Sequence, residues 1–178
     1  PAGQSLPLGD FPLNMTVSKS KKWMAVTNNG QGKQNIQLID LVNEKIADDV
    51  PVDKAWLGLV FSADEKYLYA SGGNDNWILQ YSLAKNKLQL KDSIKLGEKW
   101  PNKISPAGIC IDDNNKLFVV TKDNNTLYTV DLNTKKVIGA VKLPAEAYTC
   151  ILSSNKKELY ISCWGCDQVL VFDLEKQA

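Results

Sequence analysis

Apolar and polar residues alternate along this chain in short runs, and one such run occurs four times. Each copy ends in an apolar or aromatic residue, then Asp or Ser, then Leu, and the four copies are 36–41, 78–83, 127–132 and 169–174. Their first residues are 42, 49 and 42 positions apart. Alternation over four to eight residues is typical of β-strands. A period in the forties built from such strands predicts the blades of an all-β β-propeller.

Each blade is expected to carry four antiparallel strands, labelled a to d from the axis outwards, separated by turns rich in Asp, Asn, Gly and Lys. The predicted blades are 12–52, 53–97, 98–144 with an inserted connection at 98–106, and 145–178, which lacks a strand d. Residues 1–11 resemble the end of a strand d. We predict that they belong to a preceding or closing blade.

The number of blades in the complete ring stays open at this point. Four blades lie at the lower limit of propeller size, so we favour a segment of a larger ring of the seven-bladed type. The alternatives are a four-bladed ring closed by the N-terminal strand and an eight-bladed ring made by two chains. The chain starts at Pro1 rather than at a methionine, which we interpret as removal of an upstream segment.

The composition excludes several classes of site. All 21 basic residues are Lys, there are 20 acidic residues and no His, and the net charge is +1. This chain can therefore form no Ser-His-Asp triad, no His-ligated zinc site and no bidentate Arg clamp. The near-neutral charge disfavours nucleic acid as a partner. No apolar run reaches eighteen residues, so no membrane span is predicted.

Two segments carry a family resemblance. Residues 61–69, with their Ser-Ala-Asp-Glu-Lys turn, and residues 25–30 resemble the YVTN-type, surface-layer-like (YncE-like) repeat of bacterial seven-bladed propellers. Residues 9–14 and 71–76 are similar to a narrower group, in which a propeller precedes an alkaline-phosphatase-like phosphoesterase domain. The resemblance implies an exported protein in the periplasm or at the cell surface. The phosphoesterase's metal ligands are not in this chain.

Candidate binding residues concentrate on one side of the predicted disc. Strand order places the d–a and b–c connections on one side, here called the loop face, and the a–b and c–d turns on the other, the turn face. Aromatic rings beside amides and carboxylates suit sugars, peptides and other polar ligands. The candidate ligand-binding residues on the loop face are Trp56, Trp77, Trp100, Trp164, Tyr148, Asn28, Asn74 and Asp75.

A structural alternative competes with this hypothesis. Aromatic rings are more often packed between adjacent blades than presented to a ligand, and we favour that interpretation for the rings. The connection at 98–106 contains two prolines and is therefore stiff. It either presents Trp100 to a ligand or caps the mouth of the channel.

The segment 163–166 is a C-x-x-C pair, which is found in redox and zinc sites. It lies on a strand-to-strand turn rather than at a helix N-terminus, which disfavours redox chemistry. Cys110 and Cys150 align to opposite strand faces, so we expect no zinc site. A turn-spanning disulfide or two small buried thiols is the favoured interpretation.

A channel cation is the last candidate chemistry. Propeller lactonases, which are cousins of the family that the chain resembles, bind a divalent cation in the central channel through carboxylates and amides. The residues able to supply such oxygen ligands are Glu146, Asn14, Asn28, Asn74 and Asp75. No spacing specifies a cation site, and polar loop residues commonly form turns. No metal, cofactor or catalytic residue is therefore predicted.

Three functions are compatible with these observations. The favoured one is a non-catalytic module of an exported bacterial protein that recognises a small molecule, glycan or protein on its loop face, next to a phosphoesterase domain. The first alternative is a lactonase- or hydrolase-like propeller enzyme with a divalent cation in its channel. The second is single-strand nucleic-acid binding by stacked Trp rings. In each case the remaining blades or a second chain are needed to close the ring.

Overall fold

The computed structural model describes residues 5–99, 101–164 and 166–176. Within these ranges the chain forms fifteen strands in four antiparallel sheets and one 3-10 turn, Gly73–Asp75. The sheets follow one another along the chain, and in each sheet the strands pair in chain order. The predicted all-β propeller with four blade repeats is confirmed.

The blades have the following strands. Blade 1 contains β1 (Pro12–Val17), β2 (Trp23–Asn28), β3 (Asn35–Asp40) and β4 (Lys45–Pro51). Blade 2 contains β5 (Leu59–Phe61), β6 (Tyr67–Ser71), β7 (Trp77–Ala84) and β8 (Lys87–Lys95). Blade 3 contains β9 (Pro106–Ile111), β10 (Lys116–Thr121), β11 (Thr126–Asp131) and β12 (Lys136–Lys142). Blade 4 contains β13 (Ala147–Leu152), β14 (Glu158–Cys163) and β15 (Val169–Asp173).

The N-terminal segment differs from its predicted structure. Residues 5–11 form no strand. Leu6 lines a small cavity with Ile39 of blade 1, and the Gly9 backbone N–H donates to Gln37 Oε1 at 3.0 Å. The segment therefore contacts blade 1, and its assignment to a preceding or closing blade stays a prediction.

Successive blades pack face to face through apolar clusters. Consecutive residues of β6 show the strand period: Leu68 packs with Leu38 of blade 1, whereas Tyr69 packs with Val119 of blade 3. A third cluster joins blades 3 and 4. Because both faces of an inner blade are buried, each fully buried Leu or Val there contributes about 1.5–3 kcal/mol.

The inner strands approach each other at backbone distance. A Cβ on Gly58 would lie 2.3 Å from Ala107 O, and a Cβ on Gly108 would lie 2.4 Å from Thr149 Cα. Glycine at these two positions lets the main chains of neighbouring blades touch. The connections that enter the inner strands are thereby brought together on the loop face.

The outer faces of the first and last blades remain apolar and exposed. On β1, Asn14 Nδ2 donates toward blade 2, to Leu57 O, and the residues on the opposite face, Met15 and Val17, are 60% and 49% exposed. On blade 4, Val169 and Val171 are more than half exposed. No other described part of the chain covers these faces. None of the described residues forms a helix long and apolar enough to cross a membrane.

Candidate functional site

A cleft on the loop face is the candidate site. It has a volume of about 420 Å³ and is bounded by the connections of blades 1, 2 and 3. Its charged lining consists of Asp53, Lys54, Lys122 and Asp123, and its other polar and aromatic lining includes Asn29, Asn74, Ser105 and Trp56. A polar cleft of this size accommodates a small organic ligand.

Ser105 and Asp123 form a hydrogen-bonded pair in this cleft. The Ser105 hydroxyl donates to Asp123 Oδ2 at 2.6 Å and also lies 3.3 Å from Asn74 Oδ1. Ser105 is almost completely buried, whereas Asp123 is exposed. A hydroxyl–carboxylate bond of this length is a charge-assisted one. It fixes one carboxylate oxygen and leaves the other available to the cleft.

The backbone of Ser105 is in a sparsely populated conformation. Its φ of 52° lies in the left-handed region, which costs a non-glycine residue of the order of 1–3 kcal/mol. Strand pairing holds it there, because the backbone N–H groups of Lys122 and Asp123 donate to Ser105 O and Ile104 O. The start of β9 and the end of β10 therefore present Ser105 and Asp123 side by side.

Asn76 anchors the inserted connection that carries Ser105. Its side chain is fully buried, and Nδ2 donates to Glu98 O at 2.5 Å and to Asn102 O at 2.7 Å. Its Oδ1 accepts from the backbone N–H groups of Ile104 and Ser105. This single amide satisfies four main-chain groups of a connection whose described residues before β9 form no helix or strand, and so positions one wall of the cleft.

Lysines link the cleft to its surroundings. Lys54 Nζ is 2.8 Å from Asp75 Oδ1, which ties the cleft to the 3-10 turn of blade 2. Lys122 Nζ is 3.8 Å from Glu146 Oε1 and 5.8 Å from the centre of the Trp164 ring. The Trp164 ring in turn packs edge-on against Tyr148, with 4.9 Å between ring centres. Blade 4 thus extends the aromatic surface beside the cleft.

The residues predicted from sequence are divided among several places. Trp56 and Asn74 line the cleft, and Trp77 and Asp75 line a neighbouring groove.

The other predicted residues in the described ranges lie outside these two cavities. Tyr148 and Trp164 form the aromatic pair of blade 4. Asn28 is completely buried and donates to Asn35 and Gln37, although its Oδ1 has no partner in the described part of the chain. Trp100 lies outside the described residues.

Sequence reasoning missed Ser105, Lys122, Asp123 and Asp53. A signal for the first three was present, because the residue before an inner strand a lies beside the residues that follow strand b. In blade 3 this register is Pro106 opposite Thr121. Applied to each repeat, the register predicts which d–a and b–c residues meet; without it, Ser105 is one serine among many.

The four cysteines form two pairs. Cys110 Sγ and Cys150 Sγ are 3.7 Å apart, although the sequence places them on opposite strand faces. Opposite faces of successive blades meet at the interface between them, which brings these two thiols together. The contact with Cys150, and then burial, raises the pKa of Cys110 well above its ordinary value.

Cys163 and Cys166 are also in contact. Burial, followed by the hydrogen bond with Cys166, raises the pKa of Cys163 to about 11. All four cysteines are free thiols in the structure. Cys163 and Cys166 are half-buried rather than buried, and the choice between a turn-spanning disulfide and two thiols stays a prediction.

The described residues do not fit a divalent cation site. They contain no group of three or more His, Cys, Asp or Glu side chains arranged to hold a metal. The proposed oxygen ligands are dispersed and engaged elsewhere: Asn14 with Leu57, Asp75 with Lys54, and Glu146 beside Lys122. The cleft itself has two carboxylates, and that of Asp123 already accepts from Ser105.

Comparison with known proteins identifies relatives of this arrangement. The family model described as SMP-30/gluconolactonase/LRE-like region matches residues 23–164. Regucalcin of Sus scrofa is 29% identical over 143 residues, which cover 78% of this chain and 46% of regucalcin. An uncharacterised protein of Sulfolobus acidocaldarius is 25% identical over 126 residues, covering 70% of this chain and 45% of that protein. The chain therefore spans about half the length of the curated relatives that it matches.

Solved structures show the same fold. A protein of unknown function from Desulfotomaculum acetoxidans superposes with a TM-score of 0.76 at 16% identity, over 96% of this chain and 52% of that one. Hydrazine synthase of Kuenenia stuttgartiensis superposes with a TM-score of 0.73 at 14% identity, over 99% and 50% of the two chains. At these identities the likeness concerns the fold alone.

Proposed function

Because the chain belongs to the SMP-30/gluconolactonase/LRE-like family, we propose that it forms part of a lactonase- or hydrolase-type propeller whose substrate enters the loop-face cleft. The observation that carries this proposal is the Ser105–Asp123 pair at the wall of the 420 Å³ cleft. The family supports this alternative better than the non-catalytic recognition module that the sequence alone favoured.

Asp123 is the proposed general base. The Ser105 hydroxyl donates to Oδ2 of Asp123, which leaves Oδ1 free to act as the base. Oδ1 accepts a proton from a water molecule while the water oxygen attacks the lactone carbonyl. The C–O bond of the ring then breaks, and the proton passes to the departing ring oxygen, which gives an open-chain hydroxy acid. Ser105 acts as a positioning residue, since it orients the carboxylate.

Lys122 is the proposed electrostatic partner. It lines the same cleft as Asp123, and an ammonium near the carbonyl oxygen stabilises the negative charge that develops there during attack. The Lys122 ammonium also contacts blade 4: its Nζ lies 3.8 Å from Glu146 Oε1 and 5.8 Å from the centre of the Trp164 ring. These contacts hold the side chain on the blade 4 side of the cleft. The likeness to lactonases implies a divalent cation, but the described residues form no site for one. None of the proposed steps of the hydrolysis uses a metal ion.

Substitution of the base tests the proposal. With the purified full-length protein and a panel of five- and six-membered lactones, we expect Asp123→Asn to lower kcat/KM by about 100-fold or more, since general-base catalysis commonly contributes that much. Asp113→Asn, on the turn face, is the matched control and should keep wild-type activity. Equal activity of Asp123→Asn and wild type, or no hydrolysis of any lactone by the wild type, contradicts the proposal.

Closure of the ring is part of the same proposal. The outer faces of blades 1 and 4 expose Met15, Val17, Val169 and Val171, and neighbouring blades bury the equivalent faces of blades 2 and 3. We propose that further blades, in the same polypeptide or in a second copy, cover these faces. The YVTN-type subgroup, the neighbouring phosphoesterase and the location outside the cytoplasm stay predictions.

A further inference from the structure

A second cavity, here called the rim groove, lies next to the loop-face cleft between blades 1 and 2. Its volume is about 230 Å³. Val52, Leu79 and Leu90 form its apolar side, and Trp77, Tyr81 and Lys99 carry its hydrogen-bond donors. Asp53 and Lys54 line both cavities and separate them. The proposed function makes no use of this groove.

Two donors of the rim groove, Trp77 Nε1 and the Tyr81 hydroxyl, lack acceptors among the described residues. Trp77 Nε1 is buried and has no hydrogen-bond partner among the described residues, although such an N–H costs about 1–3 kcal/mol when it is left unsatisfied. The Tyr81 hydroxyl makes no hydrogen bond with the part of the chain that is described. Burial, then the charge of Asp53, raises the pKa of Tyr81 to about 12, so this hydroxyl keeps its proton at neutral pH.

Lys99 adds a positive charge to these donors. Its Nζ lies 4.4 Å from the centre of the Trp77 ring, a cation–π contact. It has no ion pair with a residue in the described ranges. The Lys99 ammonium and the Trp77 indole N–H are therefore two donors next to each other. A single ligand with two acceptor oxygens can satisfy both.

The acidic groups around the groove do not cancel this preference. Asp75 is neutralised by Lys54 at 2.8 Å. Asp53 is the other carboxylate that lines the groove, and it is exposed. Lys99 is exposed as well, so water and salt screen both charges, and the preference for an acceptor rests on the Trp77 N–H, which has no partner among the described residues.

We propose that the rim groove is a binding site for a small organic carboxylate with an apolar body. The carboxylate oxygens accept from Trp77 Nε1 and from the ammonium of Lys99, and the apolar body packs against Val52, Leu79 and Leu90. Charge-assisted hydrogen bonds in a partly buried site make the carboxylate the preferred end of the ligand.

Benzoate is the probe, and benzyl alcohol and acetate are its matched partners, which lack the charge and the apolar body respectively. The readout is the NMR signal of the Trp77 indole N–H, assigned with Trp77→Phe. We expect benzoate to shift this signal saturably, with the other two probes binding at least about tenfold more weakly. An unmoved Trp77 signal, or benzyl alcohol binding as tightly as benzoate, overturns the proposal.

Two lysine variants identify the charge that matters. Lys99→Met keeps the length of the side chain and removes its charge, and it should weaken benzoate binding by at least about tenfold. Lys45→Met, on the turn face of blade 1, should leave benzoate binding unchanged. The spectra of both variants report whether they are folded. A wild-type dissociation constant for Lys99→Met assigns benzoate to some other part of the surface and overturns the proposal.

Discussion

The turn face and the loop face of this propeller satisfy their polar groups in different ways. On the turn face, short side chains close each turn locally: Asp40 accepts from the N–H groups of Val42 and Asn43, and Asp131 accepts from that of Asn133. On the loop face lie all three buried polar atoms without partners in the described ranges, Asn28 Oδ1, Trp56 Nε1 and Trp77 Nε1. A buried group without a partner requires an explanation, whereas a closed turn does not.

This difference between the two faces distinguishes the part of the molecule that repeats from the part that differs from blade to blade. The turn face repeats one local solution in its turns, and it also has exposed long-range contacts between blades, such as that of Glu65 with Ser20. On the loop face the long-range bonds come from a buried side chain: Asn76 makes them over 22 to 29 residues. Irregular connections on a rigid scaffold are where binding residues concentrate. The comparison therefore supports a ligand on the loop face.

The largest expected difference in stability between the two faces comes from replacing two asparagines that have the same backbone conformation. Asn76 on the loop face and Asn115 on the turn face have φ near 60°. Asn76→Ala removes the four hydrogen bonds that the buried Asn76 side chain makes to main-chain groups, so we expect the free energy of unfolding to fall by about 2–4 kcal/mol. Asn115→Ala, at an exposed turn, should cost about 1 kcal/mol. Denaturant titration measures both, and equal losses would remove the distinction between the faces.

A smaller effect on stability should appear at low pH, from the aspartates of the turn face. Hydrogen bonds from Asn43, from the Asn133 N–H and from the Lys176 N–H hold the pKa values of Asp40, Asp131 and Asp173 below their ordinary value of 3.8. Their folded-state pKa values are depressed, so their stabilisation is present above pH 3.8 and is lost as the pH falls below it.

The triple variant Asp40→Asn, Asp131→Asn, Asp173→Asn measures that contribution. Asn keeps an acceptor oxygen for the turn but has no charge to lose. We expect the variant to have a lower Tm than wild type at pH 6 and the two Tm values to converge as the pH falls below about 3.8. Parallel Tm curves over this range would show that the turn aspartates do not act through their charge.

The sequence predicts the repeated part of the molecule better than the irregular part. The recurrence of the 36–41 run is enough to predict four blades, because strand period and turn chemistry are local properties. Ser105 and Asp123 are 18 residues apart, and their contact depends on the register of β9 with β10. Cys110 and Cys150 show the same limit: their strand faces could be predicted, but not the fact that those faces meet.

The smallest expected effect concerns an exposed contact between blades on the turn face. Lys156 of blade 4 pairs with Asp113 of blade 3, and the two side chains are 43% and 71% exposed. Such a pair contributes at most about 1 kcal/mol, and salt screens it. In a double-mutant cycle with Asp113→Asn and Lys156→Met, we expect a coupling energy below that value which decreases further in 0.5 M salt, a concentration at which the Debye length is about 4 Å. A larger, salt-independent coupling would mean that the turn face also holds blades together by specific long-range contacts, as Asn76 holds the inserted connection on the loop face.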